Sequence, residues 1–476
     1  MCGIFGIYNQ NKARIINELV YRLSLLQHRG KDGVGIAYIL ENDLTKTIKC
    51  IKRPGLVKET FKDYFNYYET NCCIGHLKYS TSGNSVNKDP HTGKPKLSIS
   101  EMQPIIHNDH ILGANHEHNI MLVHNGNIPS IKEFDTQFIF NMIINSNKSI
   151  ETTLINIMNK IPAAYCFLII VNDMMYVMRD RYGTRPLSMG ILNNSYNINS
   201  ICISSETRAL ENCENIQEIP PGVIMRFDKT GYTTIYNHPK SVNGICALEI
   251  IYFMNPRSYI NGILIETIRE KLGKIMADKE TLIPSNSDYV VVGVPKSGII
   301  YAKSYAKNLG LSYEQLIEKR DNCENGEDRT FILINDMERQ KACKKKFKFI
   351  SKKIKGKKII IVDDSIVRGT IINYIVLCFK LCGAEEIHIR IPSPPVVDRC
   401  QFGIAIKSKE ELIMYNRNVE DVKTYLKVNS LKYLSVNDLT MFPKDCYKEY
   451  FGCEIDKAMV KLNIGLNINE QTQTSF

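Results

Sequence analysis

Residues Ile359 to Thr370 read IIIVDDSIVRGT. Four β-branched apolar residues run into two adjacent acids, Asp363 and Asp364. Ser365 follows, then a short loop that holds Arg368, Gly369 and Thr370. Apolar periodicity resumes in IINYIVLCFKLCG and stops at Gly383. The pattern predicts strand, loop and helix, with Gly383 just past the helix end. Such a unit sets two carboxylates at the carboxyl end of a buried strand, where they can meet sugar hydroxyls or a Mg²⁺ ion. The next backbone N–H groups open a helix, and a helix N-terminus binds phosphate without a lysine. The stretch therefore predicts a parallel α/β domain with a phosphorylated-sugar site at its strand ends. Two acids after an apolar run would also suit an ordinary turn with solvated carboxylates; the full string argues for the site.

Outward from it, Asp288 to Gly310 (DYVVVGVPKSGIIYAKSYAKNLG) repeats the order strand, loop, helix. Between the two units, Lys341 to Lys358 holds ten lysines and no acid. Much of the net charge of +11, from 61 basic and 50 acidic residues, is thus local. A basic run suits a polyanion such as nucleic acid. It also suits a solvated loop and helix face. Its place just before the phosphate site favours a third reading, a loop that meets the diphosphate of a substrate. A chain of 476 residues has room for two or three domains with full cores. Hydrophobic and charged contents of 44% and 23% are those of an ordinary soluble protein. AAYCFLIIV, among the longest apolar runs, stops at Asn172, far short of a bilayer span. No basic-then-apolar leader is visible, so a cytoplasmic protein with no membrane partner is expected. In a reducing compartment its fifteen cysteines point to metal or catalytic use ahead of disulfides.

The chain begins MCGIFGIY. The small second residue favours removal of Met1, which makes Cys2 the N-terminus. A free α-amine has a pKa of about 7.7–8.0 and can act as base for the thiol beside it. One cysteine at position 2 would not outweigh an incidental buried thiol, but its company does. LLQHRGKDGVGIA (Leu25 to Ala37), GHLKYSTSG (Gly75 to Gly83), VHNGNI (Val123 to Ile128) and RDRYGTRPL (Arg179 to Leu187) follow in order. From Ala163 to Tyr236 the pattern is β-rich, with Lys229-Thr230-Gly231 as a hairpin turn. The polar stretch His238 to Gly244 marks the boundary, dividing residues 2–240 from 241–476.

The N-terminal series resembles the glutamine amidotransferase domain of the N-terminal-nucleophile class. The resemblance implies that Cys2 attacks the side-chain amide of glutamine to form a glutamyl thioester. It implies an oxyanion hole from the Asn125 side chain and the Gly126 backbone. Lys78 stands where the family has an arginine for the glutamine α-carboxylate, and keeps the charge without the bidentate fork. Asp135 stands where an acid holds the α-amine; the usual following acid is Gln137 here. Gly30, Gly33 and Gly35, with His28 and Arg29, are expected to shape the loop beside Cys2. Arg185-Pro186-Leu187 and Ser204-Ser205-Glu206 match family strings as fold markers, with a supporting role behind the site also open. VDDSIVRGT resembles the motif for 5-phosphoribosyl-1-diphosphate (PRPP) in type I phosphoribosyltransferases. That implies PRPP binding by Asp363, Asp364, Ser365, Arg368, Gly369 and Thr370, and Mg²⁺ at Ser297, Asp363 and Asp364. Lys296 replaces an acid often found there. Glu318 to Ile332 resembles a closing-loop string with four extra residues between Arg320 and Arg329, within Asp321–Asp328. Arg329, Thr330, Arg339, Lys345 and Lys346 match loop positions, with Arg329 and Lys346 expected on PRPP.

CALEIIYFMNPRSYINGI (Cys246 to Ile263) is similar to a segment of the glutamine PRPP amidotransferases, with Arg257 where that family has Asp. This resemblance covers residues 2 to 453 and joins both signature sets in one chain. It implies an N-terminal-nucleophile α-β-β-α sandwich followed by a type I phosphoribosyltransferase domain with a parallel sheet. It also implies transfer of the glutamine amide nitrogen to PRPP, the entry step of purine synthesis. Purine nucleotide inhibitors, a homo-oligomer and no nucleic-acid partner are further family expectations. Some members hold a [4Fe–4S] cluster on four cysteines. Cys246, Cys400 and Cys446 match three positions, the fourth is Glu449, and Cys453 lies nearby, so the cluster stays open. Two other classes remain: an ammonia-dependent phosphoribosyltransferase with a decayed glutaminase half, and a non-catalytic polyanion-binding regulator.

Overall fold

A computed structural model describes residues 2–41, 46–64, 66–79, 99–108, 119–128, 131, 134–194, 197–281, 289–319, 347–400, 402, 406, 408–442 and 446. The described residues form antiparallel sheets of seven and six strands and a parallel sheet of five, besides two short two-stranded ribbons.

The first strand, β1 (Gly3–Ala13), shows why the N-terminal half is layered. Its side chains alternate between faces, and both faces are apolar. Phe5 and Ile7 pack with Leu19 and Leu23 of helix α1 (Ile16–Leu25). Ile4 and Tyr8 turn the other way, toward the second sheet. Next to β1 on one side runs β2 (Thr70–Lys78), and on the other the strand Asn197–Ser204. The second sheet is centred on β3 (Ile120–Asn127) and β4 (Ala164–Val171), antiparallel neighbours. Met121, Val123, Cys166 and Leu168 meet Ile4 and Ile74 between the sheets. Leu122, Phe167 and Ile169 face outward onto helices α2 (Asp135–Ile144) and α3 (Ile150–Lys160). The result is the expected α-β-β-α sandwich, and the expected hairpin joins Val223–Asp228 to Gly231–Asn237.

In the C-terminal half β5 (Tyr289–Gly293), β6 (Lys358–Val362) and β7 (Glu386–Ile391) lie side by side and parallel. Ile360 and Val362 face helices α4 (Ile265–Asp278) and α5 (Ile299–Leu309). Ile359 and Ile361 face the opposite way onto α6 (Thr370–Leu381). Helices on both faces explain why β6 reads as an unbroken apolar run. Gly383 has φ +83° just after α6, as its sequence position predicts. The chain passes between the halves along the loop Arg181–Thr184, with Gly244 N donating to Tyr182 O at 2.7 Å and Cys246 N to Thr184 O at 3.1 Å. A single π-helical turn, Glu249–Phe253, follows.

Three lysines of the basic run have carboxylate partners. Lys348 pairs with Glu318 at 3.1 Å, Lys357 with Glu314 at 2.9 Å and Lys358 with Glu386 at 3.1 Å. Lys357 and Lys358 stand at the amino end of β6, whereas Asp363 follows its carboxyl end. These three lysines are paired at the surface; Lys341 to Lys346, on which the diphosphate-loop reading also rests, lie outside the described residues. Among the described residues no helix is long and apolar enough to cross a membrane.

Candidate active site

Cys2 precedes β1 and is half-buried, its Sγ 3.9 Å from Tyr79 O. Its neighbours come from distant parts of the chain. Ile4 N donates to Ser205 Oγ at 3.0 Å, and Ser205 N donates back to Ile4 O at 3.1 Å. Asn125 Nδ2 reaches the same hydroxyl at 3.4 Å. Ser205 thus ties the start of β1 to the Asn125 end of β3. Asn125 is 1% exposed, and its Oδ1 is a buried acceptor with no partner among the described residues. Gly126 has to be glycine: a Cβ there would fall 2.1 Å from Ala164 O on the neighbouring strand.

Lys78 and Asp135 come to one corner beside these groups. Lys78 ends β2, donates to Glu101 O at 2.7 Å and lies 5.2 Å from the Phe134 ring centroid. Asp135 opens α2 and accepts from Thr136 N at 2.8 Å and Ile128 N at 3.2 Å. A charged amine and a carboxylate on neighbouring elements can hold the two ends of an amino acid. Gly30 lets its loop lie against β2, since a Cβ would come 2.6 Å from Leu77 O. Arg29 does more than shape that loop: its Nε donates to the Cys2 carbonyl at 2.9 Å.

The second site stands at the carboxyl end of β6. Asp363 and Asp364 are 7% and 5% exposed. Burial, reinforced by the Asp364 charge beside it, pushes the Asp363 carboxyl well above the usual range. Ser297 Oγ donates to Asp363 Oδ1 at 3.1 Å, and Ser365 Oγ to Asp364 Oδ2 at 2.6 Å. The Ser297 loop lies directly over the strand end because Gly298 has no side chain; a Cβ would sit 2.2 Å from Val362 O. Gly369 precedes Thr370 with φ +77°, the left-handed conformation that glycine allows, and starts α6. Arg368 does not point alone into this space. Its Nε donates to Glu411 Oε2 at 2.7 Å. Ile413 N donates to Val367 O at 2.9 Å, so the strip Ser408–Ile413 backs the whole loop. Arg329, Thr330, Arg339, Lys345, Lys346 and the Asp321–Asp328 insertion lie outside the described residues.

Two adjacent buried acids with a hydroxyl against them form a donor set that suits a hard divalent cation. Three of the four candidate cluster cysteines are among the described residues. Cys246 and Cys446 share one core with Cys400 packed against it, but Cys446 Sγ donates to Ile245 O at 2.9 Å. Cys453 is outside the described residues. Among the described residues no group of three His, Cys, Asp or Glu could hold a metal ion.

Comparison with known proteins spans both halves of the chain. A phosphoribosyl transferase domain model covers residues 260–392. The chain is 32% identical to the amidophosphoribosyltransferase of Methanocaldococcus jannaschii, over 92% of this chain and 93% of that one. The chain belongs to the amidophosphoribosyltransferase family. The Bacillus subtilis amidophosphoribosyltransferase is 31% identical, over 92% of this chain and 88% of its own. A solved structure of the B. subtilis glutamine PRPP amidotransferase, complexed with ADP and GMP, superposes with a TM-score of 0.76. It is 28% identical and covers 94% of this chain and 95% of that one. A second, described as the allosteric regulatory enzyme of purine biosynthesis, gives 0.78 at 28% identity, covering 95% and 96%. Sequence reasoning missed the contacts of Glu249 and Glu411 and read Glu206 as a fold marker. Isolated acids carry no spacing signal, and their partners lie far away in the chain.

Proposed function

We infer that this protein transfers the amide nitrogen of glutamine to PRPP, giving 5-phosphoribosylamine, glutamate and diphosphate. The observation that carries the reading is the pair of sites in one chain: Cys2 at the start of the strand that Ser205 ties to Asn125, and buried Asp363-Asp364 beneath Ser297. With Met1 removed, the Cys2 amine takes the thiol proton and the sulfur attacks the glutamine amide carbon. The Asn125 side chain and Gly126 N–H receive the oxyanion. Lys78 and Asp135 hold the α-carboxylate and α-amine. Ammonia leaves as the thioester forms, and water releases glutamate. At the second site ammonia attacks C1 of PRPP, and the C1–O bond to diphosphate breaks. Asp363 and Asp364 orient the ribose, while the Ser365–Thr370 loop and the start of α6 hold the 5-phosphate. Mg²⁺ bound by Ser297, Asp363 and Asp364 would neutralise charge on the departing diphosphate. Arg329 and Lys346 are assigned to the loop over PRPP. Residues 2–240 form the amidotransferase half and 241–476 the phosphoribosyltransferase half of a cytoplasmic homo-oligomer, with purine nucleotides as inhibitors.

The test is diphosphate release from PRPP and Mg²⁺ with either glutamine or ammonium. Cys2→Ala is expected to lose the glutamine-dependent rate and keep the ammonium-dependent one. Wild type that responds to ammonium alone has a decayed glutaminase half. Absence of diphosphate release with either nitrogen source, in folded protein, overturns the enzyme reading.

A further inference from the structure

A cluster of buried charge joins the two halves and serves neither reaction directly. Arg29 is fully buried, and so are the carboxylates of Glu206 and Glu249. While its Nε holds the Cys2 carbonyl at 2.9 Å, its Nη2 donates to Glu249 Oε1 at 2.9 Å and its Nη1 to Glu249 Oε2 at 3.1 Å. Nη1 also binds Glu206 Oε1. The partners are crossed between the halves. Glu249, on the far side of the chain boundary, grips a loop of the amidotransferase half. Glu206, from the amidotransferase half, accepts Asn255 N at 2.8 Å and Ser258 Oγ at 2.7 Å from the other. Arg185 closes the cluster, 3.5 Å from Glu249 Oε1 and 2.5 Å from Phe402 O.

The turn that carries Glu249 leans on the sugar-phosphate half. Ile250 and Ile251 pack in the same core as α4 and α5. Arg269 of α4 donates to Ile250 O at 3.0 Å and to Met254 O at 2.8 Å. Tyr301, in the first turns of α5, donates to Ile251 O at 2.8 Å. That helix begins immediately after the Ser297 loop over Asp363. Taking several charges out of water is an expensive way to stabilise an interface that apolar packing would hold as well. What a buried bidentate pair supplies instead is direction and a fixed distance.

We propose that Glu249 is a positioning residue of the Cys2 centre: it fixes Arg29, and through Arg29 the carbonyl of the nucleophile, at a place set by the phosphoribosyl half. This rests on Cys2 being the glutaminase nucleophile. The position of the sulfur relative to the Asn125–Gly126 pocket then depends on the Glu249–Phe253 turn. Ammonium-dependent chemistry at Asp363-Asp364 does not pass through Arg29.

Three rates on the full chain decide it: glutamine hydrolysis, ammonium-dependent diphosphate release, and alkylation of Cys2 by iodoacetamide, followed on the N-terminal peptide by mass spectrometry. Small displacements of a reacting group are costly, so Glu249→Gln should lower kcat for glutamine hydrolysis about ten-fold or more. KM for glutamine should hold within about two-fold, since Lys78 and Asp135 are untouched. Cys2 alkylation should slow in parallel, and ammonium-dependent release should stay near wild type. Unchanged glutamine hydrolysis overturns the proposal. So does an equal loss of both half-reactions, which marks a merely structural role. If Glu249→Gln yields no folded protein, Glu249→Asp, which keeps the charge and shortens the reach, is judged by the same three rates. Cys2→Ala separates the two readings: if it still hydrolyses glutamine, the nucleophile assignment fails; if it is inactive, Glu249→Gln judges the positioning role alone.

Discussion

At the residue scale the amidotransferase site is held by what is missing as much as by what is present. Gly126 lies against the β4 backbone, with an added Cβ 2.1 Å from Ala164 O, 2.6 Å from His124 Nε2 and 2.7 Å from Tyr165 Cα. Main-chain atoms of a paired strand cannot step aside, so Gly126→Ala should cost about 1–3 kcal/mol of stability. It should also lower glutamine-dependent turnover far more than ammonium-dependent turnover. Urea unfolding alongside the two assays checks both parts; equal effects on the two nitrogen sources would remove Gly126 from the oxyanion pocket. Cys2, Asn125 and Gly126 were legible as residues because short strings surround them. Their common anchor was not. Ser205 meets Ile4 across 201 positions and Asn125 across 80. Such contacts leave no local pattern.

At the scale of an element, the loop before α6 is more than a strand end that turns into a helix. Gly369 needs its left-handed φ, and a side chain there would meet Ile413 Cδ1 at 2.2 Å. Glu411 holds Arg368 at 2.7 Å and also accepts from Ser408 N at 3.1 Å. One carboxylate thus fastens the supporting strip and the phosphate loop together. Glu411→Gln removes the charge that holds Arg368 while keeping the shape. KM for PRPP should rise several-fold, about 1 kcal/mol for a lost charge-assisted bond, with a smaller change in kcat. Steady-state kinetics with ammonium as the nitrogen source isolates this half; an unchanged KM would show that the strip does not set the loop. Strand, loop and helix were readable from period and punctuation alone. The strip that backs them, 43 residues downstream of Arg368, was not.

At the scale of the whole molecule, buried ion clusters tie remote segments together. Glu280, beyond the end of α4, meets Arg390 of β7, Tyr305 of α5 and Lys432, the last at 2.9 Å. Burial alone would raise its pKa, but the hydrogen bond and charge of Arg390, with Tyr305 and Lys432, hold it down at about 2. A carboxyl with a depressed folded pKa stabilises the fold above its unfolded value of about 4.3. That stability is lost as pH falls from about 4.3 toward 2. Urea unfolding at pH 7, 5 and 3 should therefore show a steep acid loss in wild type and a flatter one in Glu280→Gln. Parallel profiles would show that Glu280 does not carry the acid sensitivity. The sequence by itself determined the two-part architecture and singled out Cys2 and the paired acids, because alternation, helical period and contiguous motifs are written in neighbouring residues. It also displayed the lysine run without its carboxylate partners. Only the tertiary structure decided that Lys348, Lys357 and Lys358 pair with Glu318, Glu314 and Glu386, that Glu411 holds Arg368, and that Arg29 joins Cys2 to Glu249. These are choices among many possible charge partners, and burial and distance make them only once the layers have packed.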